Sequence, residues 1–132
     1  MFGTKKNIVL NGLTDKVVAY AIGLGDRIRI GSFFLSSTIA GSSLHSIDRP
    51  ESDGQAFPSQ HMQGVSIFSL NEFVRQPNIR FPNHIKIDVD GTEKQIVENM
   101  DQLLQDTRLK TVMIEINRDI NDGVIEKILG EA

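Results

Sequence analysis

Apolar and polar positions along this chain fall into recognisable patterns, each of which predicts an element. Ile8-Val9-Leu10 is followed by Asn11-Gly12-Leu13. That order predicts the end of a helix over residues 4–13, with Gly12 as a left-handed cap and Leu13 as the hydrophobic contact behind it. Val17-Val18-Ala19-Tyr20-Ala21-Ile22 is a continuous apolar run with β-branched residues, which predicts a buried strand. After Gly23-Leu24-Gly25-Asp26, Ile28 and Ile30 alternate with Arg27 and Arg29, and Phe33, Phe34 and Leu35 follow. A second strand is expected there, half exposed at its start, with the two arginines on a solvated face.

Residues 36–64 show no sustained period and are rich in Ser, Gly, Pro, His and Asp. A long flexible loop is the expectation, and a connection of that length is functional or disordered. Val65-Ser66-Ile67-Phe68 then predicts a short strand. Ser69-Leu70-Asn71-Glu72 has the form of a capping box opening a short helix through Phe73 and Val74.

The last third carries the clearest pattern. Ile85, Ile87 and Val89 alternate with Lys86, Asp88 and Asp90, and Gly91 breaks the strand. Thr92 and Gln95 are spaced to cap a helix whose single apolar face holds Ile96, Val97, Met100, Leu103 and Leu104. Thr111-Val112-Met113-Ile114-Glu115-Ile116 reads as another strand, of buried type. Strand, amphipathic helix and strand with short joints predict a right-handed parallel crossover, and the class is α/β.

Composition narrows the function classes. A chain of 132 residues has the length of one domain, and its 39% hydrophobic content can supply a core. Fourteen Lys and Arg against 17 Asp and Glu leave a net charge of −3, which argues against a dedicated nucleic-acid binder. The absence of cysteine removes disulfides, thiolate metal sites and cysteine nucleophiles. No apolar run approaches the ~20 residues of a membrane helix, and Ile8-Val9-Leu10 is too short for a leader core. A soluble, cytoplasmic protein without a membrane partner is expected.

Three strand ends carry polar groups, at Gly25-Asp26, at Asp88-Val89-Asp90-Gly91 and at Glu115-Ile116-Asn117. Ligands of parallel sheets bind outside the carboxyl ends of strands, so these residues are candidates. Asp88-x-Asp90-Gly91-Thr92 also has the outline of the haloacid dehalogenase phosphatase signature, but no later paired-Asp motif for magnesium follows it. A calcium loop fails, because Val97 falls where a bidentate Glu is required. Gly23-Leu24-Gly25 precedes a strand pattern rather than a helix, which makes it a poor phosphate loop. His45 and His61, with Asp48, Glu51 and Asp53, match no metal-ligand spacing, and no metal is expected.

One family ties these segments together. Ile85-Lys86-Ile87-Asp88-Val89-Asp90-Gly91-Thr92-Glu93 is similar to the "iKiDvEGxE" segment of the FkbM-type methyltransferases, and Val112-Met113-Ile114-Glu115-Ile116 to the strand ending in Glu behind it. Ser69-Leu70-Asn71-Glu72-Phe73 resembles that family's "sLDel" segment, Ala21-Ile22-Gly23-Leu24-Gly25-Asp26 its "aLsD" turn, and Gly41-Ser42-Ser43-Leu44-His45 its small-residue loop. Asp90 stands where Glu is commoner, and Asn71 where Asp is. The family's glycine-rich cofactor turn and its acidic ribose ligand have no counterpart in this sequence.

The resemblance implies a single partial methyltransferase domain over residues 1–132, with a Rossmann-like, mostly parallel sheet incomplete at both ends. It implies S-adenosylmethionine as cofactor and methyl transfer to a hydroxyl of a small molecule or sugar. Asp88, Asp90 and Glu115 are then the catalytic candidates. Gly23, Leu24, Gly25 and Asp26 would lie beside the adenine, and Asp88 would meet the cofactor's methionine end or the acceptor. Ser42, Ser43 and His45 would contact the acceptor. Two alternatives stand beside this reading: a non-catalytic remnant that binds a partner or dimerises through exposed sheet edges, and a magnesium-dependent phosphatase.

Overall fold

A short helix, α1 (Phe2–Leu10), opens the chain and stops where the glycine requires. Gly12 takes φ +63°, the Leu13 amide donates to the Ile8 carbonyl at 2.9 Å, and the Gly12 amide donates to Val9 at 3.1 Å. These two bonds are the Schellman closure that Asn11-Gly12-Leu13 predicts. The computed structural model describes residues 2–37, 45–52, 55–89, 91–116 and 123–131.

The apolar run at 17–22 does not form the expected buried strand. Only β1 (Gly23–Leu24) is paired, and Val17, Val18 and Tyr20 lie exposed. A strand exists through its ladder, and β1 finds a parallel partner for only two residues, Gly23 opposite Ile67 and Leu24 opposite Phe68. Tyr20 instead sets its ring edge-on against Phe73 at 5.1 Å.

β2 (Arg29–Leu35), β3 (His45–Ile47) and β6 (His61–Phe68) complete a four-stranded sheet of order β1-β6-β2-β3. β2 runs antiparallel to both β3 and β6, and β4 (Glu51–Ser52) pairs antiparallel with β5 (Gln55–Ala56). The stretch read as an aperiodic loop therefore carries β3, β4, β5 and the start of β6. Strands of two or three residues are too short to register a period of two.

The face assignment of β2 is inverted. Arg29 points inward, its side chain 23% exposed, whereas Ile30 is 76% exposed. Two carboxylates account for this, since the Arg29 guanidinium meets Asp26 at 3.2 Å and Asp48 at 2.5 Å. Gly31 leaves the room they need: a Cβ there would stand 2.3 Å from Ile67 Cδ1 and 2.8 Å from both Arg29 Nη1 and Asp48 Oδ1. Gly31→Ala is expected to lower the free energy of urea unfolding by about 1–3 kcal/mol, as overpacking does. An unchanged urea midpoint would show that Ile67 and Arg29 can yield.

The second half of the chain builds the core. Ser69 caps α2 (Leu70–Phe73) with the reciprocal Ser69–Glu72 box that the sequence predicts. β7 (His84–Ile87) pairs in parallel with β8 (Thr111–Ile114), Ile87 opposite Ile114. Between them the expected single helix is two, α3 (Glu93–Glu98) and α4 (Asp101–Leu104), interrupted at Asn99 and Met100. Thr92 occupies the N-cap of α3 without the side-chain hydrogen bond its spacing suggests. The apolar face is nevertheless the one expected: Ile96, Val97, Met100 and Leu103 are buried, joined by Leu70, Ile87 and Ile125 of α5 (Val124–Glu131).

β8 is half exposed rather than buried on both faces, with Met113 turned outward. The sheet is also not mostly parallel. Among the described residues two strand pairs are parallel, β1–β6 and β7–β8, and three are antiparallel. Parallel pairing needs a long crossover, and β2 meets β3 and β6 without one. The architecture is mixed α/β.

Candidate functional site

The carboxyl end of the β7–β8 pair collects three charged side chains. Alternation sends Ile85 and Ile87 to the core and Lys86 and Asp88 outward. The Glu115 amide donates to the Ile87 carbonyl at 3.1 Å, which continues the parallel ladder beyond β8 and brings Glu115 beside Asp88. Lys86 Nζ donates to Asp88 Oδ2, and the Glu115 side chain lies close to the same carboxyl. The Lys86 hydrogen bond first, and the charge of Lys86 with it, hold Asp88 below the usual carboxylate range. The same Asp88 bond, with the charge of Asp88, raises Lys86 above its ordinary value.

Two adjoining cavities open beside this group. The first, about 330 Å³, is lined by Ile22, Gly23 and Leu24, by Phe33, Ser46 and Ile47, and by Val89, Thr92 and Ile96. The second, about 650 Å³, runs along β7 from Pro82 to Asp88 and shares Leu24, Val89 and Ile96 with the first. Both fall within the volume range of small-molecule sites, mostly apolar with a few polar groups. Gly23 gives the wall its close approach to Ile47, because a Cβ there would stand 2.7 Å from Ile47 Cδ1 and push that side chain aside.

The structure thus brings Asp88 and Glu115 together, sets Leu24 with Asp88 on the second cavity, and places Gly23 on the adjoining first one. It sends Gly25 and Asp26 elsewhere. The Gly25 amide extends the β6 ladder to Phe68 at 2.8 Å, and its α-carbon faces Ile67. Asp26 is held by Arg29 and Arg27. Asp90, Ser42 and Ser43 lie outside the described residues, as does the side chain of His45, whose backbone opens β3. Phe33, Ser46, Ile47 and Thr92 are cavity residues that periodicity did not single out. Their signal is three-dimensional, since residues of β2, β3 and the segment before α3, distant in the chain, line one cavity.

The Asp26–Arg29–Asp48 group ties the turn after β1, strand β2 and the turn after β3 into one unit. Burial pushes the Asp26 carboxyl up, but the Arg29 hydrogen bond, a backbone hydrogen bond and the two arginine charges outweigh it and leave it below 3.8. At Asp48 the Arg29 hydrogen bond comes first and lowers the group against burial. Carboxyls depressed in the folded state contribute stability that is complete above their unfolded value and is lost as pH falls through the folded value. The thermal midpoint is expected to drop on acidification below about pH 4, and Asp48→Asn to flatten that drop. At neutral pH the same substitution is expected to cost no more than about 1 kcal/mol, because the pair is partly exposed.

Among the described residues no group of three or more His, Asp or Glu is placed to hold a metal ion. No helix among them is long and apolar enough to cross a membrane. A family model described as "Methyltransferase FkbM domain" matches residues 5–129. No curated protein and no solved structure gives a significant match.

Proposed function

Because the chain belongs to the FkbM methyltransferase family, we propose that it serves S-adenosylmethionine-dependent methyl transfer to a hydroxyl of a small molecule or sugar. The observation that carries this reading is the paired cavity between β1 and β7, with an ionised Asp88 at its rim. The parallel β7–β8 unit is, in this reading, the crossover of a Rossmann-like sheet, and its carboxyl end is where such sheets bind ligands.

The residues present suit a cofactor of this kind. Ile22, Gly23, Leu24 and Val89 offer an apolar slot to an adenine, and the Thr92 hydroxyl, free of capping duty, offers it a polar contact. The bound cofactor supplies an electrophilic methyl group on a sulfonium. Asp88 is suited to a cation or a hydroxyl as acceptor and counter-charge. A carboxylate held below its usual range is a weak proton acceptor, so Asp88 anchors rather than deprotonates. Lys86 fixes its orientation. Asp90 is the better candidate for the base that takes the acceptor's proton.

Calorimetric titration of the 132-residue chain with S-adenosylhomocysteine tests this. Saturable binding in the micromolar range is expected. A demonstrably folded chain that takes up none would overturn the reading and favour a non-catalytic binding remnant of the fold.

A further inference from the structure

A third cavity, of about 390 Å³, lies between α2, α4 and the loop before β8; it shares Val74 and Ile79 with the second cavity, but Asp88 is not among its lining residues. Its lining is polar, and two guanidinium groups from separate elements face it, Arg75 behind α2 and Arg108 ahead of β8. Arg108 is fixed in place: its Nε donates to Asp106 at 3.0 Å and its Nη2 at 2.7 Å, and its Cζ lies 3.8 Å from the centroid of the Phe81 ring. Arg75 donates to the neutral Gln102 Oε1 and forms no ion pair with a carboxylate among the described residues. Asp101, the other carboxylate nearby, is engaged by the Asn71 amide at 2.7 Å.

Two full positive charges therefore face this cavity against the single carboxylate of Asp106. Arg108 also holds that carboxylate ionised, at about 2. Most N–H groups of both forks have no acceptor among the described residues, and each fork presents its donors in a plane. One planar carboxylate is satisfied by one fork, whereas the oxygens of a tetrahedral phosphate can accept from two forks set on different elements. We propose that this cavity binds the phosphate group of a small ligand between Arg75 and Arg108, independently of the cleft at Asp88.

The test is calorimetric titration of the whole chain with inorganic phosphate and pyrophosphate at fixed ionic strength, with acetate in parallel. Saturable binding in the millimolar range or tighter is expected for the phosphates. It should weaken at least tenfold in Arg75→Gln with no change in thermal midpoint, and Asp88→Asn should leave it unchanged. Arg108→Gln should weaken it too, though loss of the Phe81 contact makes Arg75→Gln the cleaner variant. Absence of saturable phosphate binding overturns the proposal. So does retention of full affinity by Arg75→Gln, or acetate binding as tightly as phosphate.

Discussion

Truncating Ile67 to alanine is expected to lower the unfolding free energy by about 4 kcal/mol, near the upper part of the range for aliphatic-to-alanine changes in a core. Ile67 is fully buried on β6, opposite Gly23 on one neighbouring strand and Arg29 on the other. Its side chain lies against three glycines, with Cβ positions at Gly23, Gly25 and Gly31 that would fall 3.4, 2.9 and 2.3 Å from it. Glycines have no side chain to lean into the space that is left, so the cavity stays open and the cost stays high. Against a total of about 5–15 kcal/mol for a typical domain, that is a large share. Urea unfolding followed by circular dichroism measures it. A loss under about 1 kcal/mol would mean that the strands close over the gap. Ile67→Val, removing one methylene, is expected to cost about 1 kcal/mol.

Asp88→Asn is expected to weaken S-adenosylhomocysteine binding about 10- to 150-fold, the equivalent of a charge-assisted hydrogen bond. Its thermal midpoint should hardly move, because exposed ion pairs such as Lys86–Asp88 contribute little to stability. The separation of the two effects is the point of the experiment. Loss of affinity with intact folding supports an anchoring role, and equal affinity in the variant removes Asp88 from the site. The lowered range of Asp88 also fixes the pH behaviour. Binding that depends on its charge should be flat through neutral pH and decline only as the solution approaches or passes below 3.8. A decline centred near pH 6–7 would point to a different titrating group.

Much of the candidate site is legible along the chain. Lys86 and Asp88 are two apart in a strand, which by itself puts them on one face, and Glu115 ends the next strand. Given parallel pairing, all three must meet at one end. The apolar face of residues 96–103 is equally readable, and it is buried even though the helix breaks in the middle. Part of the cavity lining is not readable. Phe33, Ser46 and Ile47 reach it through a β2–β3 pairing whose partners are separated by residues without period.

Local rules were sufficient at some helix ends, though not at Thr92, whose side chain makes no capping bond. The Gly12 cap and the Ser69 capping box follow from φ preferences and short-range hydrogen bonds that involve a few consecutive residues, and the apolar face around Met100 from helical spacing, whereas β7 ends at Ile87, before the break expected at Gly91. Tertiary structure alone decided the rest. The run at 17–22 is apolar enough for a buried strand, but a ladder needs a neighbour, and only Gly23 and Leu24 have one. Arg29 turns inward and Ile30 outward because Asp26 and Asp48, three residues before it and nineteen after, converge on its guanidinium. Alternation records that two faces differ. Which face is buried depends on the partners that arrive, and those come from elsewhere in the chain.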